Sequence, residues 1–398
     1  SPDLGRNPRD KRSRLTWGMR VDPETSPASA RTASPAAPDA GRPLFAAPAD
    51  YDRAARPDPE AVSRLLAGMP VNQWALLPAP PRDVNAHPWG TSPYDPSRRQ
   101  FLCFGGGNSV WHFTDVGHYS LRAADWSTGY PAEYPFSVFG RSAFFNQTFN
   151  DHPTVPNTLC DAAAFDPVSG KAVFCLRGGT WTYDPAARAW DHPPVPGPRG
   201  GVKVNMAGTP RGVVHWGHDG ALHLFDAKNR TWSRLPLAGG QLGIAFSDRS
   251  GMCYDSKRDC LWLSSGGSPM MQYDMGSGRL SIHASPVAPD RLWMRETAYV
   301  PELDMLLNVG RVRGPGGEAG NLAYDIAARK WVGVELACSD GHPRIYDNDY
   351  WAVSLSLDYD PGLRAAVLLY NAREVLAARF DPGTVRTFEP RPTVPKAE

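Results

Sequence analysis

The chain predicts an all-β fold, a six-bladed β-propeller with seven blades as the alternative, and three observations predict it. The first is an eight-residue hairpin signature. It reads Tyr119-Ser-Leu-Arg-Ala-Ala-Asp-Trp126, and recurs as Tyr183-Asp-Pro-Ala-Ala-Arg-Ala-Trp190, Phe225-Asp-Ala-Lys-Asn-Arg-Thr-Trp232, Tyr273-Asp-Met-Gly-Ser-Gly-Arg-Leu280 and Tyr324-Asp-Ile-Ala-Ala-Arg-Lys-Trp331. A last, degenerate copy spans Phe380 to Thr387. The second is a shorter signature ahead of most copies: Tyr94-Asp-Pro, Phe165-Asp-Pro, Tyr254-Asp-Ser, Tyr299-Val-Pro and Tyr359-Asp-Pro. The third is the period, since successive eight-residue copies start 64, 42, 48, 51 and 56 residues apart. About 40–50 residues suits one four-stranded blade.

In chain order, residues 1–57 read as an extended arm. Between Pro23 and Pro48 the chain is mostly Pro, Ala, Ser, Thr, Asp and Gly, a composition that buries too little apolar surface to offset the entropy of ordering. One short helix follows: Asp58 suits the N-cap, Pro59 the first helical position and Gly68 the stop, with Val62, Leu65 and Leu66 as its apolar face. Gln73 to Pro78 reads as a lone strand, and Trp74 is placed on a strand that the N-terminus donates to close the ring. Residues 58–86 are thus helix and closing strand, 87–390 the propeller and 391–398 a tail.

Within each repeat, an aromatic ends one strand, Asp opens the turn and its carboxylate bonds the turn backbone, and Trp begins the next strand. Apolar strands such as Phe101-Leu-Cys-Phe, Leu261-Trp-Leu and Ala366-Val-Leu-Leu follow the shorter signature. Several of these strands end in glycines, as at Gly105-Gly-Gly, Gly178-Gly179 and Gly266-Gly267. The larger first gap marks an insertion at about 127–160, the material for a seventh blade if there is one.

The composition bounds the function. Forty-two basic and 41 acidic side chains leave a net charge of +1, and no basic stripe goes beyond Lys11-Arg12-Ser13-Arg14. No electrostatic case for nucleic acid exists, and no apolar stretch approaches the ~20 residues of a membrane-spanning helix. Six cysteines lack CxxC zinc spacing. Cys253 and Cys260 flank one turn and Cys160 and Cys175 another, which leaves buried thiols and hairpin disulfides equally open. Phosphate-binding and nucleophile-elbow motifs are absent from the sequence, and no cofactor is expected.

The Gly-Gly pairs, the Tyr-Asp hairpins and the spaced Trp residues resemble kelch repeats and the galactose-oxidase-type central domain over roughly 87–390. Trp89-Gly-Thr, Gly105-Gly-Gly and Asp115-Val-Gly-His-Tyr119 resemble a group of uncharacterised bacterial secreted propellers. That resemblance implies an extracellular or periplasmic protein and carries no chemistry. The radical copper site of galactose oxidase needs a Tyr-His pair, and no His here follows a Tyr.

Candidate site residues fall on the face shared by the second-to-third-strand loops and the connections between blades, which collects most of the irregular sequence. His112, His118, His152, Arg311 and His342 are acid–base or charge-neutralising candidates, on the pattern of lyases that pair His or Tyr with Arg against a uronate. Trp111, Arg141, Arg295, Arg313, Arg344 and Tyr346 are candidates for contact with a ligand or partner. Tyr130 and Tyr134 lie near them in sequence. The competing readings are plainer: His118 as a strand residue bonding a neighbour, Arg311 and Arg313 as a solvated loop. His215 and His218-Asp219 are likewise read as surface polar groups rather than a metal pair. The expected function is a binding or scaffold propeller docking a protein partner through 1–57 and its loop face. The alternative is a polysaccharide-active enzyme or a carbohydrate-binding propeller.

Overall fold

The computed structural model describes residues 59–77, 91–105, 114–131, 133, 148–153, 162–176, 179–198, 205–239, 250–265, 269–283, 297–338, 355–370 and 374–391. Six sheets of four or five strands follow one another along the chain. The first blade pairs Tyr94–Asp95, Gln100–Cys103, Gly117–Ser120 and Asp125–Thr128 in sequence order. The second (163–190), third (205–234) and fourth (250–283) repeat that meander. The fifth starts at Thr297 and the sixth at Leu355. The innermost strands contact their neighbours around the ring, and there is no seventh blade among the described residues. The insertion instead contributes a small hairpin, Thr148–Phe149 with His152–Pro153.

The Asp of each turn does what its position suggests. Asp95 Oδ1 accepts from the backbone amides of Ser97 and Arg98, and Asp255 Oδ1 from those of Lys257 and Arg258. Asp184, Asp274 and Asp325 cap their own turns in the same way. Most of these turns end on a residue in the left-handed region just before the next strand, such as Arg188, Arg230 and Arg329, each at φ 54°. A left-handed residue there is the mark of a type I turn closed by a bulge. The aromatic and the Trp of the signature then meet across the strands: Tyr183 pairs with Trp190, Phe225 with Trp232 and Tyr324 with Trp331.

The core lies between the blades rather than inside them. One apolar cluster joins Phe104 of the first blade, Phe174 and Trp181 of the second and Phe225 of the third. Others join the third to the fourth and the fourth to the fifth. Leu66 of the helix, which spans Pro59–Ala67, packs into the cluster shared by the sixth and first blades. Gly208 stands where neighbouring blades carry an aromatic, because a Cβ there would lie 2.1 Å from the Phe165 carbonyl oxygen of the second blade.

Ring closure follows the expectation, with an addition at each edge. Gln73–Leu77 pairs antiparallel with Glu374–Arg379 as the outer strand of the sixth blade, Trp74 opposite Ala378. Trp74 is fully buried and its Nε1 donates to Asn321 Oδ1 of the fifth blade at 3.0 Å. Ala337–Cys338 then adds a parallel strand outside it. The last repeat copy departs from a hairpin. Its Asp381 still caps a turn, but Asn72 bonds that turn and the N-terminal strand occupies the outer position. The chain crosses instead to the fifth blade, where Thr387–Phe388 pairs with Gly333 and Val334. Gly333 leaves room for the Phe388 ring, which would lie 2.2 Å from a Cβ at that position.

Three further expectations are corrected. Arg311 and Arg313 belong to a long strand, Met305–Arg313, paired with Ala319–Asp325 across a bulge, not to a loop. His215 is not a surface group: it is buried in the middle of the third blade, 1% exposed. Cys253 pairs with Trp262 and Cys260 with Asp255 across their hairpin, so the two are offset and remain thiols. Cys175 is also a thiol, and Cys160 lies outside the described residues.

Candidate functional site

Where the connection leaving the first blade meets the second, polar side chains converge on one carboxylate. Glu133 Oε2 accepts from Thr114 Oγ1 at 2.7 Å and lies 2.7 Å from His152 Nδ1, while Oε1 accepts from Asn150 Nδ2 at 2.8 Å. The hairpin that presents Asn150 and His152 turns through Asn150 and Asp151, at φ 48° and 62°. Two consecutive left-handed residues give the tight reverse turn whose twist matches that of the flanking strands, and Asn and Asp are the side chains that tolerate it.

The imidazole of His152 stacks on Tyr130, ring centroids 4.0 Å apart and 19° between planes. Tyr130 is itself held at both ends of its hydroxyl, which donates to the Thr114 carbonyl and accepts from Trp190 Nε1 of the second blade at 2.8 Å. Burial pushes its phenol well above the ordinary range. Tyr130 is therefore a fixed platform, and with Glu133 it sets the plane and direction of the imidazole. His152 Nε2 has no partner among the described residues. An imidazole fixed through Nδ1 by a carboxylate can offer Nε2 to a ligand as a hydrogen-bond partner, or take a proton there.

Beneath this group lies a second pair. His118 Nε2 is 2.8 Å from the Tyr183 hydroxyl across the blade boundary. His118 is 3% exposed, and burial first, then the charge of Arg188, lowers its imidazole to about 4. At neutral pH it is an uncharged bonding partner. Gly129 makes the pair possible, because a Cβ there would lie 2.0 Å from the Tyr183 oxygen. His118 is thus the strand residue bonding a neighbour that its position before the turn suggests.

Of the sequence candidates among the described residues, the structure brings His152 into a converging polar group, with Tyr130 stacked on it and His118 bonded to Tyr183 nearby. Arg313 is an exposed strand residue of the fifth blade whose carbonyl accepts from the Arg391 amide. Arg311 sits on the same strand opposite Asn321. His112, His342, Trp111, Arg141, Arg295, Arg344 and Tyr346 lie outside the described residues, as does Tyr134. Sequence reasoning missed Glu133, Asn150 and Thr114. Glu133 stands 19 residues before His152, a separation without a motif, and only the fold-back of the inserted hairpin joins them. Among the described residues no three His, Cys, Asp or Glu side chains are grouped to hold a metal. No helix there is long and apolar enough to cross a membrane. The sequence matches no protein-family model and no curated protein.

Proposed function

We propose that this chain is a kelch-like binding propeller, a scaffold subunit that engages its partner through the loop face. The observation that supports the reading is the pre-set group at the boundary of the first and second blades. Glu133, Asn150 and Tyr130 hold His152 in one orientation, with no partner for Nε2 among the described residues, and ordering losses on binding are smaller for groups already fixed. The arm 1–57 is proposed as a second docking element, since Pro-rich segments wrap partners at modest affinity per area. An extracellular or periplasmic assembly is the proposed setting. The test is a comparison of the full chain, a chain lacking 1–57 and H152A against the partner recovered from the native source. H152A is expected to lower affinity by about tenfold or more, as hot-spot truncations do. Unchanged affinity in H152A refutes the loop-face reading.

One observation favours a second reading, a uronate-acting lyase: a carboxylate-held imidazole beside a tyrosine suits proton abstraction. A screen of uronate-containing polysaccharides for unsaturated products, with H152A as control, decides it.

A further inference from the structure

The inner strands of all six blades enclose a second site, on the ring axis, in a cavity of about 380 Å³. That volume lies within the ordinary range of small-molecule sites. Its wall mixes apolar and polar groups, with Met206, Met252, Ala164 and Ala298 beside Thr91, Ser92, Thr297 and Ser356. Its lining includes the aromatic residues at the turn ends of five inner strands: Tyr94, Phe165, Tyr254, Tyr299 and Tyr359. The tyrosine hydroxyls are already engaged. Tyr94 donates to Asp360, Tyr254 to Asp259, Tyr299 to Asp304 and Tyr359 to Glu302, and their rings pack into the apolar clusters between blades.

The same wall carries one carboxylate, Asp358, and no Lys, Arg or His. Its neighbour Ser356 has a single hydroxyl hydrogen. Ser356 Oγ lies 2.7 Å from the Ser92 carbonyl and 3.4 Å from Asp358 Oδ2, so the carbonyl takes that hydrogen. Asp358, partly exposed to the cavity, has only that long Ser356 contact to offset its loss of hydration, and desolvation pushes its carboxyl up to about 7. A charge drawn away from bulk water is ordinarily paired. Within the wall nothing pairs it.

We propose that the axial cavity binds a small organic monocation with an apolar body, with Asp358 as counter-ion and Met206, Met252, Ala164 and Ala298 against the apolar part. A carboxylate attracts a weakly hydrated cation, and more strongly where water is excluded. A single carboxylate falls short of the charged oxygen set by which calcium is ordinarily held, which favours an organic ion over a metal. The site lies on the axis, apart from the His152 group, and stands whether or not the loop-face reading holds.

Calorimetric titration of the full chain at about pH 8, where the carboxyl is ionised, tests it. The probes are benzyltrimethylammonium, the neutral benzyl alcohol and the anionic benzoate. Expected are one site per chain for the cation, affinity about tenfold or more above benzyl alcohol, no heat from benzoate, and loss of about tenfold or more in D358N. D358N removes the one charge of the wall and keeps its shape, so its melting point is expected at or above that of the wild type. Equal binding of cation and neutral probe, cation binding unchanged in D358N, or no cation binding at millimolar concentration would each overturn the proposal.

Discussion

Buried polar residues at the blade boundaries make the sharpest predictions for single side chains. Gly129→Ala places a methyl on the Tyr183 oxygen. It is expected to cost about 1–3 kcal/mol, read as a lower denaturant midpoint with unchanged slope. His118 gives a pH signature. The unfolded chain takes up a proton near the usual 6.5, while the folded one resists until about 4. The stability that neutral His118 allows is thus full above pH 6.5 and is lost as pH falls toward 4. Melting curves of wild type and His118→Gln over that interval are expected to diverge in favour of the variant by on the order of 3 kcal/mol. Asp358 runs the opposite way, gaining a proton in the folded state first, so only the difference between the two proteins isolates the histidine. At this scale the sequence was least informative. The Tyr359-Asp-Pro signature marks Asp360 as the turn acid, but nothing local shows that Asp358, two residues earlier, lines the axial cavity.

The hairpins are the elements that local chemistry specifies. An aromatic, an Asp and a short polar turn suffice, because the carboxylate satisfies the turn amides from within the same six residues. Boundaries that depend on distant partners were not legible. The last copy has the capping Asp381, yet its following strand is displaced by a chain segment about 310 residues earlier in sequence, since Asn72 and Asp381 stand 309 apart. Between elements, the turns are tied around the axis by charge. Arg211 meets Asp259, Arg258 meets Asp304, Arg364 meets Glu302 and Arg99 meets Asp360. Arg258 is the one to test, since it also bonds the fully buried Asp255 at 2.8 Å. Arg258→Ala strands that carboxylate without its cation and is expected to destabilise by about 3–5 kcal/mol. Arg64→Ala, which breaks the pair with Glu60 that is exposed on both sides, is expected to change stability by less than about 1 kcal/mol. Equal effects in urea melts would contradict this ranking.

For the whole molecule, the ring holds because every blade packs on the next and the last outer strand comes from the other end of the chain. Trp74 carries that closure. Trp74→Ala is expected to cost about 3–5 kcal/mol and to leave Asn321 Oδ1 without its donor. The fold class was readable because repeats sum: six imperfect copies agree where any single one is ambiguous. Function had no such redundancy. The candidate group exists once, its members come from the first blade and an insertion, and most of the loop-face candidates lie outside the described residues. The central claim, that the loop face and not the turn face does the binding, is tested most directly by footprinting the partner complex. Hydrogen exchange of the full chain, alone and with the recovered partner, should show protection around 129–133 and 148–153 with the turns at 96–99 and 256–259 unchanged. Protection confined to those turns would contradict it.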